Sequence, residues 1–447
     1  MSRTQFATRL GVIATTVGSA VGLGNIWRFP YETGMHGGAA FLLIDLFFIF
    51  IIGVPVVCAE FIIGRHTGSN IRGAFRMLAP RQAWGWVSYI GLAASVLILS
   101  FYSVVAGWTM HYIVKSMTGF SGNTSPEALH NQFDTFASSN QGPVFWTLLF
   151  LAINYLILSR GVQKGIERMS NILMPILFVI LLLFTVNSLT LSGASDGLKF
   201  LFSPDFSAIT PQVVLGAMGQ AFFTLSLGLG CLITYSSYFK SDTPLLRTSL
   251  ITAGLDTLVA ILAGIIIFPA VFTFGQQPEA GPKLVFEVLP SIFANMTGGS
   301  FWATLFFLLL FLASLTSTIS MAEITTAYLC EEFRMSRRKA TATSIGLSMF
   351  LGSLCALSFG ILGDVKVFGL TLFNLFDYTS SNILLPVGGM IISLFVGWKL
   401  DRSIVVSELS AGSERLAPIA IKGIIFCLRW LAPICIAMVF IYGLNIF

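Results

Sequence analysis

Asn25, Arg28 and three glycines stand within the stretch GSAVGLGNIWRFP, Gly18 to Pro30, between flanks apolar enough to lie in a bilayer. Glycine and proline weaken or break a helix. In lipid, a broken helix leaves backbone N–H and C=O groups without partners, which is tolerated only where protein, water or a ligand supplies them. The chemistry on offer is therefore recognition by exposed backbone. A second stretch, FFTLSLGLGCLITY from Phe222 to Tyr235, repeats the pattern with Thr224, Ser226, Gly228 and Gly230. Competing chemistries are poorly supported. The four histidines (His36, His66, His111, His130) fall near span ends or in loops, so an intramembrane enzyme lacks its nucleophile and base or its metal site. A channel needs a continuous polar pore or charged rings, whereas these polar residues cluster at two breaks.

The elements that must position these residues are membrane spans. Apolar residues make up 55% of the 447-residue chain and charged residues 10%, with a mean hydropathy of +0.85, against about 25% charged residues in soluble domains. Apolar stretches of about 20 residues predict an all-α polytopic membrane protein with roughly eleven spans: near 10–36, 39–64, 86–117, 144–160, 168–190, 212–238, 245–274, 300–330, 341–362, 368–399 and 422–446. Arg3 and Arg9 lead straight into the first span, which has no small-residue cleavage site, so no cleavable signal peptide is expected. Six scattered cysteines form neither a disulfide framework nor a metal spacing. Arginine and lysine concentrate in the loops on the N-terminal side, including Arg65, Arg72, Arg76, Arg81, Arg160, Lys164, Arg334, Arg337 and Arg338. This bias predicts a cytoplasmic N-terminus and, with an odd number of spans, an extracytoplasmic C-terminus. The net charge of +5 reflects the same bias and implies no nucleic-acid partner.

The two broken segments are the first and sixth spans, so the second copy enters the membrane from the opposite face. Gly-interrupted spans at corresponding positions of two inverted halves point to a midplane substrate site in secondary transporters. Small residues also serve as packing seams, but a seam does not need Asn25 and Arg28. The runs AVGLGNIWRFPY, HGGAAF, GQAFFTLSLGLG and ASLTST, in this order, resemble the neurotransmitter:sodium symporter family over roughly residues 3–400. Having about eleven spans rather than the twelve of animal members points to the family's bacterial branch and hence to a bacterial inner membrane. The resemblance implies the leucine-transporter fold: one transporter domain, 1–447, with inverted repeats at 8–190 and 212–400 and an extra helix at 420–446.

By resemblance, the substrate site comprises Ala20, Gly22, Gly24, Ile98, Tyr102, Phe223, Thr224, Ser226, Leu229, Thr318 and Met321. A half-helix N-terminus suits a carboxylate. Gly22 stands where amine carriers hold an aspartate, which favours an amino acid bringing its own carboxylate to Tyr102. The uncharged pocket implies a neutral substrate. Leu229 in place of a phenylalanine, with flexible Met321, suggests bulky aliphatic or aromatic side chains. Two sodium ions are implied. The first would be held by Ala20, Asn25, Thr224 and Asp256, the second by Gly18, Val21, Ala313, Thr316 and Ser317. Members that require chloride bind it with residues matched here by Gln220 and Thr224, but Asp45, Ala260 and Asp256 replace the tyrosine, serine and asparagine positions. Intramembrane carboxylates are costly and functional by default, so Asp45 or Asp256 is expected to substitute for chloride. Arg28 with Asp377 matches the outer gate; Arg3 with Glu331, beside Phe6 and Tyr238, matches the inner one. A transporter-like sensor that binds an amino acid without accumulating it is the alternative. No oligomeric state is implied.

Overall fold

The computed structural model describes residues 4–119, 126–275, 284–411 and 417–444. Among the described residues, eight helices are long and apolar enough to cross a membrane: Ala39–Thr67, Ala83–Met117, Val162–Leu189, Leu245–Thr273, Gly299–Glu332, Arg337–Leu357, Leu372–Lys399 and Pro418–Gly443. Two bent pairs, Arg9–Ala20 with Gly24–Met35 at 51° and Ala128–Ser138 with Gly142–Leu158 at 71°, raise the number to ten if each pair is one span. The remaining expected span, 212–238, is split into Pro211–Thr224 and Cys231–Ser236. Each piece is shorter than the roughly 20 residues a crossing needs.

Local sequence explains both breaks. The Thr8 side chain accepts the Gly11 N–H and starts the first half-helix, which ends where Val21 turns to extended backbone. Thr210 caps the Val213 N–H, with Pro211 at the first turn, where proline's missing N–H costs nothing. The second break holds three residues in left-handed backbone, Ser226, Gly228 and Gly230. Gly228 also lies against another helix: a Cβ there would stand 2.3 Å from the Leu385 carbonyl oxygen. That glycine is a packing seam as well as part of the break.

The 299–332 helix is central, with 83% of its membrane window buried, whereas the 418–443 helix is peripheral at 28%. The central helix packs most extensively on the 83–117 helix and also on the 9–20 half-helix. Outward faces carry Phe47, Phe145, Leu183, Val186 and Phe350 exposed, as expected of a surface solvated by lipid.

Candidate functional site

The first break exposes backbone to groups from several helices. The Leu23 N–H donates to the Tyr102 hydroxyl at 2.7 Å, and the Gly22 N–H to Asn25 Oδ1 at 2.9 Å. The Ser317 hydroxyl donates to the Val21 carbonyl at 2.9 Å. Only glycine fits at position 22, because a Cβ would lie 2.6 Å from both Ser317 Oγ and Tyr102 Oη. The second break is held by a buried carboxylate, Glu60, whose Oε1 accepts the Gly228 N–H at 2.8 Å. Gln220 Nε2 reaches the Gly24 carbonyl at 3.4 Å and ties the two breaks together.

Between the breaks lies a small cavity of about 30 Å³, lined by Ala20, Gly22, Gly24, Ile98, Tyr102, Phe223, Thr224, Ser226, Leu229, Ser317, Met321 and Leu385. The predicted substrate residues meet here with one exception. Thr318 turns away from the cavity, its hydroxyl donating to Asn154 Oδ1 and to the Ser314 carbonyl, each at 2.9 Å. On a helix, Ser317 and Met321 lie one turn apart on a shared face, and Thr318 is rotated about 100° from Ser317 and about 60° from Met321. Leu385, from the 372–399 helix, completes the wall and was missing from the sequence reading. Its helix carries no break, so nothing in the sequence marks it.

The expected ligands of the first cation also come together. Asn25 and Asp256 are fully buried and Thr224 nearly so. Asp256 accepts from Asn25 Nδ2 at 2.8 Å through Oδ1 and from the Thr224 hydroxyl at 2.8 Å through Oδ2. The Asn25 amide oxygen accepts the Gly22 N–H, and its nitrogen donates to Asp256. A carboxylate at 256 only accepts hydrogen bonds, so it draws the amide's donor. A cation at Asp256 would displace these donors and favour the opposite amide orientation.

The second set gathers at the seam between the 9–20 and 299–332 helices. A Cβ on Gly18 would be 3.3 Å from Thr316 Cβ. The Thr316 hydroxyl donates to the Ala313 carbonyl at 3.0 Å, and Ser317 joins Val21 as described. These carbonyls and hydroxyls are oxygen donors of the kind a hard cation takes. Asp45 is also buried, and its Oδ1, like Gln220 Oε1 and Thr257 Oγ1, has no hydrogen-bond partner among the described residues.

Toward the face opposite the N-terminus, a cavity of about 280 Å³ is lined by Trp27, Arg28, Tyr31, Glu32, Asp377, Tyr378, Ser381 and Asn382. Arg28 and Asp377, the residues matched to the outer gate, line this cavity together, with no direct ion pair between them among the described residues. Arg28 Nε lies 3.5 Å from Glu32 Oε1, one helical turn away, and its guanidinium stands 4.3 Å from the centre of the Phe223 ring. Asp377 accepts from the Ser381 hydroxyl at 2.9 Å. The acid on the same helix is already within reach, so Arg28 pairs without crossing the cavity.

The N-terminal face is closed. Phe6 is 1% exposed and sits edge-on to Tyr235 and Tyr238. Tyr238 donates to Glu323 Oε1 at 2.6 Å, and Arg337 grips the same carboxylate at 2.7 and 2.5 Å. Glu331 accepts from the Asn70 N–H and Nδ2, each at 2.8 Å; its predicted partner, Arg3, lies outside the described residues. Glu167 adds a contact that sequence reasoning missed. Its carboxylate accepts from the N–H of Ala7 and from the N–H and hydroxyl of Thr8, at 2.9 to 3.0 Å.

Broken helices around a polar and apolar cavity, with one side closed, describe a carrier. The sequence profile of the Sodium:neurotransmitter symporter family matches residues 3–141 and 126–447. The chain belongs to this family. The uncharacterized sodium-dependent transporter YhdH of Bacillus subtilis (strain 168) is 43% identical over 446 residues, spanning 99% of this chain and 98% of its own. An uncharacterized sodium-dependent transporter of Methanocaldococcus jannaschii, MJ1319, is 30% identical over 456 residues, 95% of this chain and 90% of its own. The crystal structure of MhsT in complex with L-phenylalanine matches with a TM-score of 0.90 at 47% identity, covering 99% of this chain and all of that one. The protein is thus a multi-pass, sodium-dependent symporter of this family, with the fold of MhsT, and not an enzyme.

Proposed function

We propose that this symporter couples two sodium ions to the uptake of neutral, hydrophobic or aromatic L-amino acids by alternating access, without a need for chloride. The cavity between the breaks carries this conclusion. Its wall of Ile98, Phe223, Leu229, Met321 and Leu385 has no charged side chain, while Gly22 and Tyr102 present backbone and hydroxyl at one end. Such a site suits a substrate whose charges are confined to its α-amino and α-carboxylate groups. The L-phenylalanine bound by MhsT supports the same substrate class. At about 30 Å³ the cavity holds little more than a water or two. Binding an amino acid therefore requires apolar side chains such as Phe223 and Met321 to move apart.

Sodium fits both oxygen-rich clusters. At the first, Asp256 supplies a fixed negative charge where chloride-requiring relatives carry an asparagine, and buried Asp45 lies within its electrostatic reach. Either carboxylate can take the role of chloride. Closure of the opposite face would bring Arg28 toward Asp377 across the 280 Å³ cavity. Opening of the N-terminal face would release the contacts of Phe6, Glu167 and Glu323. We place the N-terminus in the bacterial cytoplasm from the arginine and lysine bias and assign 8–190 and 212–400 as inverted repeats.

The test is uptake of a labelled amino-acid panel into proteoliposomes under an inward sodium gradient, with potassium replacing sodium in the control. Concentrative uptake of neutral amino acids only with sodium is expected. Sodium-dependent binding without accumulation would make the protein a sensor. Loss of uptake when gluconate replaces chloride would refute chloride independence.

A further inference from the structure

On the N-terminal face, between the second and third membrane helices, the short helix Ile71–Leu78 and the turn Ala83–Trp86 border a cavity of about 290 Å³. Three arginines, Arg72, Arg76 and Arg81, line it together with Trp86 and Tyr89. No carboxylate is in the wall. The nearest acid, Glu332, is already gripped by both terminal nitrogens of Arg76, at 2.9 and 3.2 Å. Arg72 lies 3.9 Å from the same carboxylate, donates to the Tyr328 hydroxyl at 3.3 Å and stacks over Tyr89 at 5.0 Å. Arg81 is exposed and makes no ion pair among the described residues. Two of the three guanidinium groups thus share one carboxylate and the third has none, leaving positive charge at the cavity.

The rim identifies the ligand. Trp86, in the wall, is 70% exposed and stands at the start of the 83–117 membrane helix, and Met77, on the 71–78 helix that borders the cavity, is 61% exposed. Tryptophan and tyrosine at a helix end mark the level of the headgroups, and basic pockets between membrane helices bind anionic headgroups. A soluble anion would gain nothing from exposed Trp86 and Met77. A phospholipid would lay its acyl chains along them while its phosphate met the planar forks of the arginines. We propose that this cavity binds the headgroup phosphate of an anionic phospholipid from the leaflet on the N-terminal side. The site adjoins the closed face: Asn70, which caps the 71–78 helix through its side chain, also donates to Glu331. Lipid occupancy therefore bears on the element that supports this face.

The purified full-length protein in detergent is titrated with dioleoyl phosphatidylglycerol or dioleoyl phosphatidylcholine. Bound lipid is counted by native mass spectrometry, with inorganic phosphate as competitor. Phosphatidylglycerol should be retained in preference to phosphatidylcholine and should resist displacement by phosphate. Arg81→Ala should weaken its retention about fivefold, and Arg72→Ala with Arg81→Ala about 25-fold. Arg81→Lys, which keeps the charge, should recover most of the loss. Because Arg81 is exposed and unpaired, its variants are expected to fold, and an unchanged melting temperature checks this. Equal retention of the two lipids, or a preference unaltered in Arg81→Ala, overturns the proposal. Displacement by inorganic phosphate without any lipid preference would make this a free-phosphate site and equally overturn it.

Discussion

Glu167→Ala should open the N-terminal face. The Glu167 carboxylate is 4% exposed and takes three hydrogen bonds from Ala7 and Thr8, while Thr8 is also the N-cap of the 9–20 half-helix. A negative charge there also favours the positive end of the helix dipole. Removing it leaves two backbone N–H groups and a hydroxyl without this acceptor in the closed state, whereas water can supply them in an open one. At about 1–3 kcal/mol for each unsatisfied donor, and allowing for partial relaxation, the closed state loses about 3 kcal/mol. That corresponds to roughly a 150-fold shift toward the open state, at about 1.4 kcal/mol per factor of ten. Cys231 is a native reporter, because it is fully buried on the 231–236 helix that packs against the 9–20 half-helix. With the other five cysteines replaced by serine or alanine, maleimide applied from the N-terminal side should label Cys231 about two orders of magnitude faster in Glu167→Ala. Gly11→Ala supplies an independent perturbation, since its Cβ would fall 2.0 Å from Glu167 Oε1 and displace the same carboxylate. Unchanged labelling in both variants, with folding intact by circular dichroism, would refute this role for Glu167.

Three further outcomes follow from the site. Asp256→Asn removes the charge that Asn25 and Thr224 now satisfy; sodium should bind at least about tenfold more weakly, read from the sodium dependence of substrate binding. Gly22→Ala should abolish sodium-dependent amino-acid binding in equilibrium assays without unfolding the protein, because the added methyl meets Tyr102 and Ser317 at 2.6 Å. Arg337→Gln strands the fully buried Glu323 and should cost about 3–5 kcal/mol, seen as a lower melting temperature; adding Glu323→Gln should restore most of the loss.

Both helix breaks were legible because glycine and polar residues contradict their apolar surroundings at Gly22 and Gly228. The cavity wall followed from the resemblance and from helical spacing, and the failure at Thr318 is one of angle: adjacent residues on the 299–332 helix face different neighbours. Pairing was harder to read. The separation of Arg28 from Asp377 across the outer cavity is a distance that no sequence pattern encodes, and the same holds for the contact of Arg28 with Glu32 one helical turn away. The Asn25 amide could face either way until Asp256 was placed against it. Glu167 stands among Arg160, Lys164 and Arg168, where an acid reads as a solvated charge, and only the packing of Ala7 and Thr8 onto the start of the 162–189 helix shows it buried. Glu323 and Arg337 stand on different helices, so their pairing becomes visible only where the fold packs those helices together.

The 30 Å³ cavity has a consequence for an idle carrier. A site kept open for an amino acid would carry a packet of water and dissolved ions across the membrane at every unloaded return. The side chains of Phe223, Leu229 and Met321 that wall this cavity leave room for little beyond a water or two. Side-chain packing at this one point would then set how much leaks with each cycle, and enlarging the site by trimming Phe223 or Met321 should make the membrane leakier as well as the carrier less selective.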